Sequence, residues 1–415
     1  MPNITDIRGR IVFNSRGSKS IEVDVISNDK FIGRACAPSG ASVGKYEAIS
    51  FKENSPEKSL QELKNNLSKF IGIESQDPKS IYDVLKNIDG SENYNKIGGS
   101  IAYAVSVASL ESASKALEIP LFRLIKDSGD YKFPFPLGNI IGGGSHAGPG
   151  TPDIQEYLVC PIGAKSIMEA LEMNFKVHHE TRKILETKDR KFTYGRGDEG
   201  AWAPNINNDE AIEILERAIE NCGYRIRREV ALGLDFASSS LWNEENKVYE
   251  YTRQGLTRSK QDQIDFVNSL ISNYQLIYAE DPVHEEDFAG MSTISRKNPK
   301  CLVTGDDMLV TNKDRVKQLL NFGSCTGAIL KINQAGSVYD ALEFAQECHR
   351  NTIKIITSHR SGESVDSHIA DVAIATSSKM LKTGVLGGER ISKLNQLIRL
   401  NEYGLIKGMA DVFTS

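Results

Sequence analysis

The sequence predicts an α/β protein in which a carboxyl-terminal βα barrel follows a smaller amino-terminal α+β domain. Three observations predict it. Between Ile277 and Lys331 the runs IYAEDP, LVTGDD and AILKINQ each stop on a charged side chain, Glu280, Asp306 and Lys331, at intervals of 26 and 25 residues. A strand of about 5 residues, a helix of about 12 and two short loops fill such an interval, so the runs are successive βα units. The chain has 415 residues, more than one ordinary core accommodates, and residues 11–37 alternate as a β-hairpin does before helices begin.

Composition narrows the function classes. Hydrophobic residues make up 40% and charged residues 25%, the balance of a soluble globular protein. A net charge of −5 without a long Lys/Arg cluster argues against a nucleic-acid partner. No apolar run approaches the roughly 18 residues of a membrane span, and MPNITDIRGR lacks the apolar core of a signal peptide. The six cysteines are scattered without a CxxC pair, which suggests reduced thiols in a cytoplasmic protein.

In chain order, Ile21, Val23 and Val25 alternate with Glu22 and Asp24, Asn28-Asp29-Lys30 supplies a turn, and Phe31-Ile32 begins the return strand. APSGASVGKYEA, residues 37–48, is a flexible loop suited to be a lid. Helices are predicted over Pro56–Phe70, with Leu60, Leu63, Leu67 and Phe70 as its stripe, over Pro78–Ile88, and over Ser100–Leu117, whose Ala, Ser and Val suit close packing. Pro134-Phe135-Pro136 looks like the junction, and the expected domains are 1–130 and 131–415. The glycines of 138–150 are followed by no Gly-Lys-Ser/Thr, so a P-loop is excluded. His146 and the Gln155-Glu156 pair stand out there instead. Helices are expected over 166–187 and 208–221. Between them GRGDEGAWAPN places Asp198 and Glu199 near Trp202, where burial by the aromatic would raise a carboxyl pKa and suit it to act as an acid.

The barrel pattern extends both ways. VALGLDFAS ends on Asp235, and an insertion holding the small hairpin KVYEYTRQG separates it from Glu280. His359, Arg360 and Ser361 follow IKIITS, Lys382 lies in MLKTG, and ERISKLNQLIRLNE is an amphipathic helix suited to covering the barrel wall. In a βα barrel chemistry sits at the carboxyl ends of the strands. Three carboxylates sharing a small volume there require a cation, and all-oxygen ligation favours Mg²⁺, Mn²⁺ or Ca²⁺ over zinc. Arg360 with Ser361 suits a phosphate or carboxylate. Lys331 and Lys382, beside each other and a metal, are expected to depress one another's pKa, and a neutral lysine is a base. Together these parts can remove a proton α to a carboxylate, the enediolate being stabilised by the cation.

The motifs NSRGSKSIEVDV (14–25), PSGASVGKYEA (38–48), GGSHAG (143–148), IQEYLVCP (154–161), GDEGAWAPN (197–205), LDFAS (234–238), AEDPVHEED (279–287), GDDMLVTN (305–312), LKINQAGS (330–337), SHRSGES (358–364), KTG (382–384) and ERISKLNQLIR (389–399) resemble, in order and nearly end to end, those of the enolase family. GDEGAWAPN and TGVLGGER resemble its archaeal members. The resemblance implies an enolase-type βα (TIM-like) barrel with an α+β capping domain, and the reversible dehydration of 2-phosphoglycerate to phosphoenolpyruvate in glycolysis and gluconeogenesis. A lysine base used with Mg²⁺ is known chemistry of the enolase superfamily. The resemblance further implies two Mg²⁺ per site, Asp235, Glu280 and Asp306 binding the first and Ser42 helping with the second, with Asp307 behind Asp306. Lys331 would take the C2 proton. Glu199 would protonate the departing 3-hydroxyl with Glu156 beside it and His359 near. His146 and Gln155 would contact substrate, Arg360 and Ser361 would hold its phosphate, and Lys382 its carboxylate. A homodimer or higher homo-oligomer is expected.

Two departures fall in the small domain: Asn14 replaces an acidic residue with no proline following, and GGSIAY stands at 98–103. They bear on subunit contacts more than on chemistry. Two alternatives are a related barrel dehydrating sugar acids and a non-catalytic scaffold on the same fold. The phosphate clamp argues against the first, and the full set of charged residues against the second.

Overall fold

In the computed structural model, which describes residues 1–40, 44–323 and 325–412, the chain begins with an antiparallel sheet. Its strands are β1 (Ile4–Phe13), β2 (Lys19–Ser27) and β3 (Phe31–Cys36), in that order. Ile21, Val23 and Val25 are fully buried on one face, while Glu22 and Asp24 pair with Arg10 and Arg34 on the other. Asn28 and Asp29 have φ of 51° and 56°, left-handed residues in the three-residue connection that joins Ser27 to its register partner Phe31. β1 begins seven residues before the expected start at residue 11, because only Ile4 and Ile7 are buried in its first half and no clean alternation marks it.

Three helices follow: α1 (Pro56–Asn65), α2 (Pro78–Asp89) and α3 (Gly99–Leu117). α1 is shorter than predicted, since the chain leaves helical geometry at Asn66 and makes a separate turn over Leu67–Lys69. α3 lies across the sheet in backbone contact. A Cβ on Gly33 would stand 2.0 Å from the Ala108 carbonyl oxygen, so only small residues serve at this crossing.

The barrel is closed by eight strands. β4 (Phe135–Gly142), β5 (Glu156–Cys160) and β6 (Ala231–Asp235) precede a separate small sheet of β7 (Trp242–Asn243), β8 (Val248–Tyr251) and β9 (Leu256–Arg258). That sheet contains the predicted hairpin and fills the long interval before Glu280. The barrel resumes with β10 (Tyr278–Glu280), β11 (Leu302–Gly305), β12 (Gly327–Leu330), β13 (Lys354–Ser358) and β14 (Met380–Gly384), and β14 closes on β4. All barrel pairs are parallel except those of β5, which runs antiparallel to β4 and β6. Reversal puts the first residue of β5, Glu156, opposite Gly142 and Asp235, the last residues of its neighbours. A strand start thereby reaches the face where the other strands end.

The amino-terminal domain sits over that face. Ser39 and Gly362 exchange backbone hydrogen bonds of 2.8 and 2.9 Å, and Ala48 donates 2.8 Å to the Gln334 carbonyl. Gly40, Gly44, Lys45 and Glu47 line the barrel mouth between these anchors; Ser42 lies outside the described residues. The helix Gly388–Asn401 packs Leu394, Leu397 and Leu400 against the barrel wall as predicted, but its first two turns also bury Arg390 and Lys393.

Candidate active site

Neighbouring strands deliver the carboxylates. Asp235 and Glu280 are register partners at the ends of β6 and β10, and Asp306 follows β11. All three are buried. The Asp306 turn is held by Asp281, whose Oδ1 and Oδ2 each accept a backbone N–H at 2.9 Å, from Asp306 and Asp307. Asp281, Asp306 and Asp307 bring carboxylate oxygens within 4.8 Å of one another, but both Asp281 oxygens are committed to the backbone.

Lysines interleave with these acids. Lys382 Nζ lies 2.6 Å from Glu280 Oε2, 2.9 Å from Asp235 Oδ2 and 3.3 Å from Glu156 Oε2. Lys331 Nζ donates to Asp306 Oδ2, and Asp306 Oδ1 accepts from Gln334 Nε2 at 2.9 Å. Burial opposes the charge on Lys382, yet Asp235, Glu156 and Glu280 carry its pKa well above the ordinary value. Burial likewise opposes the charge on Lys331, and Asp306 raises its pKa. Lys382 lowers the Lys331 pKa as expected, but Asp306 in direct contact outweighs it and the net direction is upward.

The acid cluster fits a hard divalent cation. Burial and then Asp235 hold Glu280 well above the usual carboxylate range, and its Oε1 has no hydrogen-bond partner among the described residues. Crowded, buried, all-oxygen donors with an orphaned lone pair are what Mg²⁺ satisfies. Asp235, Glu280 and Asp306 could hold it.

Across the same opening stands a second group. His146 Nδ1 lies 3.4 Å from Glu156 Oε1 and 3.5 Å from Glu199 Oε1. Glu199 Oε2 accepts from Asn139 Nδ2 at 3.1 Å and touches His359 Nε2 at 3.2 Å. The Glu199 loop rests directly on the turn after β14. A Cβ on Gly384 would meet the Glu199 carbonyl oxygen at 1.8 Å, and one on Gly200 (φ 79°) would meet Leu386 O at 2.0 Å. The Trp202 ring lies tilted against His178, with centroids 4.6 Å apart. The expectation of a raised Glu199 pKa is corrected as well. Burial pushes Glu199 up, but His359 and His146 bring it well below the usual range. Glu156 is the raised member, pushed up to about 7 by burial and by Glu199. Burial opposes charge on His146 too, yet Glu199 and Glu156 raise it to about 9.

The third wall carries the anion clamp. Arg360 is buried, and the Ser361 hydroxyl, also buried, has no hydrogen-bond partner among the described residues. Gln155 Nε2 approaches Asp235 Oδ2 at 3.4 Å. These walls enclose a cavity of about 350 Å³. Every predicted site residue among the described residues lines it except Glu280, which lies behind Asp235 and Lys382. Sequence reasoning missed Glu47, Asn139, Asp281, Gln334 and Arg390. Three had a local signal. Glu47 lies in the lid segment, Asp281 adjoins Glu280, and Arg390 is a cation at the start of a helix whose apolar face has other residues.

The comparisons agree with this fold. Residues 4–125 match the family model described as the enolase N-terminal domain, and residues 130–408 match the enolase C-terminal TIM barrel domain. Proteins named enolase are similar throughout. That of Methanosphaera stadtmanae is 41% identical over 99% of both chains, and that of Methanothermobacter thermautotrophicus 39% over 99% of both. That of Archaeoglobus fulgidus is 39% identical over 96% of this chain and 97% of its own. On matches that run through both domains, the chain belongs to the enolase family, the Mg²⁺-dependent hydro-lyases that interconvert 2-phosphoglycerate and phosphoenolpyruvate.

Proposed function

We propose that Lys331 removes the C2 proton of 2-phosphoglycerate and that Glu199 delivers a proton to the departing 3-hydroxyl. The observation that carries this division is that the two stand in separate groups lining one cavity, Lys331 beside Asp306 and Glu199 between His146 and His359. A base and an acid on different walls can act on adjacent carbons. Bound Mg²⁺ supplies the positive charge that a dianion formed by C2 deprotonation needs, and Asp235, Glu280 and Asp306 would hold one ion. Ser42 would serve a second. Lys331 must give up a proton and its contact with Asp306 before it can accept one. Glu156, the carboxyl pushed up to about 7, is the neighbouring proton reservoir for Glu199. Lys382 would take the substrate carboxylate and Arg360 with Ser361 the phosphate, while His146 and Gln155 contact substrate and His359 stands by the leaving oxygen.

The capping domain is assigned to residues 1–130 and the catalytic barrel to 131–415. Support comes from the separate amino-terminal sheet and from the barrel's first strand at Phe135. A cytoplasmic location fits six scattered cysteines, five of them buried. No helix among the described residues is long and apolar enough to cross a membrane. A homodimer or higher homo-oligomer fits the exposure of Phe13 (71%) and Val365 (74%), and light scattering after gel filtration reads it directly.

Deuterium exchange at C2 tests the roles. Lys331→Ala abolishes exchange, while Glu199→Gln retains exchange and loses dehydration. Unaltered exchange in Lys331→Ala overturns the assignment. Turnover of sugar acids without turnover of 2-phosphoglycerate would favour the alternative dehydratase.

A further inference from the structure

The two ring nitrogens of His359 meet different chemistry. Nδ1 faces three hydrogen-bond donors: Arg390 NH1 at 2.9 Å, the Thr383 hydroxyl at 3.3 Å and the Gly384 backbone N–H at 3.4 Å. A guanidinium and a backbone N–H have no lone pair to offer. A proton on Nδ1 would therefore point into donors, and Nδ1 must accept. The ring proton is left to Nε2, which lines the cavity wall 3.2 Å from Glu199 Oε2, in contact but without the angle of a good hydrogen bond.

Arg390 is placed rigidly for this task. It is fully buried, and its guanidinium also donates to the carbonyls of Arg360 (2.5 Å), Ser361 (2.7 Å) and Asp198 (2.9 Å). It thus ties the clamp loop and the acid loop to one point and presents NH1 to the imidazole. The charged groups facing His359 are Glu199, Glu363 and Arg390. Burial pushes the ring's pKa down to about 4, Glu199 opposes this, and Arg390 reinforces it.

We propose that Arg390 is a positioning residue that fixes His359 as the neutral, Nε2-protonated tautomer, so that His359 donates a hydrogen bond to the departing 3-oxygen and never receives the proton. This rests on the assignment of Glu199 as the acid at that oxygen. The step is a hydrogen bond only: the proton transferred to the leaving hydroxyl comes from Glu199, and His359 keeps its own.

Long-range ¹H–¹⁵N correlation of the Mg²⁺-loaded enzyme, with ¹⁵N-labelled histidine and His359→Ala to assign the signal among seven histidines, reads the tautomer directly. The expected pattern is Nε2–H, unchanged from about pH 5.5 to 8.5, because a ring titrating near 4 stays neutral there. An Nδ1–H tautomer or an imidazolium in that range overturns the proposal. In Arg390→Met the His359 signals begin to titrate or mix tautomers, kcat falls, and C2 exchange persists; unaltered His359 signals overturn the role of Arg390. If that variant does not fold, the wild-type tautomer and the His359 series decide. Gln places an amide N–H near Nε2, so His359→Gln stays within about 10-fold of wild type, while His359→Ala loses about 10²–10³, the worth of one preorganised donor. Equal losses in the two variants overturn donation in favour of proton transfer. Failure of the exchange test on Lys331 and Glu199 would be seen separately, since the tautomer is read without turnover.

Discussion

Glu47 and Arg360 form a buried two-point pair, Oε2 with NH1 at 2.9 Å and Oε1 with NH2 at 3.2 Å, that joins the lid segment to the anion clamp. Glu47 Oε1 also accepts the Gly44 N–H at 2.9 Å, and Asn333 Oδ1 accepts from Arg360 NH1 at 3.2 Å. The guanidinium is therefore oriented by Glu47 of the lid segment and Asn333 after β12. Breaking a buried pair by removing one partner costs about 3 kcal/mol or more, because the remaining charge is left uncompensated. Glu47→Gln is expected to lower stability by about that amount and to raise KM for 2-phosphoglycerate about tenfold, the effect of losing some 1.4 kcal/mol of positioning. Glu47→Asp should recover part of both. Denaturant unfolding and steady-state kinetics check this; an unchanged KM in Glu47→Gln counts against a link between lid and clamp.

Mg²⁺ should stabilise the fold as well as support turnover. A ligand that binds only the folded state adds about 2.7 kcal/mol at roughly 100 times its dissociation constant. The thermal midpoint is expected to rise with Mg²⁺ and fall back with chelator, activity following reversibly. Glu280→Gln, which removes charge at the wholly buried member of the cluster, should lose most of that increment. A midpoint indifferent to Mg²⁺ would contradict the carboxylate assignment.

Gly384→Ala tests the seat of Glu199. The added Cβ would collide with a carbonyl oxygen, which backbone cannot yield cheaply. Overpacking of this kind costs about 1–3 kcal/mol, and misplacing the acid by about 1 Å costs about 10²-fold in kcat. Exchange at C2 should survive, since Lys331 lies on another wall. A variant with normal kcat would show that the loop has an alternative rest.

His178 predicts an acid limb of stability. Burial lowers its pKa from 6.5 to about 4, with the Gly200 carbonyl opposing and Arg196, His179 and Arg182 reinforcing. The folded state thus holds it neutral, and its Nε2 lies 3.1 Å from Gly200 O. The unfolded chain binds a proton first as pH falls. This contribution is intact above pH 6.5, is lost progressively towards pH 4 and levels off below, about 3 kcal/mol in all. His178→Gln, which keeps an N–H donor, should lose less stability than wild type across that window. Parallel pH curves for the two proteins would refute it.

The charged strand ends were legible because they depend on local pattern. Short apolar runs at a 25-residue spacing mark barrel strands, and the side chain after each run must stand at the mouth. Asp235, Glu280, Asp306, Lys331, His359, Arg360 and Lys382 were found that way, His146, Glu156 and Glu199 stood out in their loops, and the family motifs added the roles. The early strand Ile4–Phe13 was only half visible, since most of its side chains are partly exposed and its apolar residues do not alternate.

The sequence by itself therefore determined the barrel, the inventory of its mouth and the family. Only the tertiary structure decided how those groups act on one another. β5 runs backwards, which brings the start of a strand to the catalytic face; nothing in EYLVC states a direction. The contacting carboxylates raise Lys331 and Lys382, the raised carboxyl is Glu156 rather than Glu199, and Arg390 and Glu47 contact His359 and Arg360. Each of these depends on distances of a few ångströms between residues far apart in the chain. Electrostatics in a low-dielectric interior changes sign and size over such distances, and sequence spacing carries no record of them.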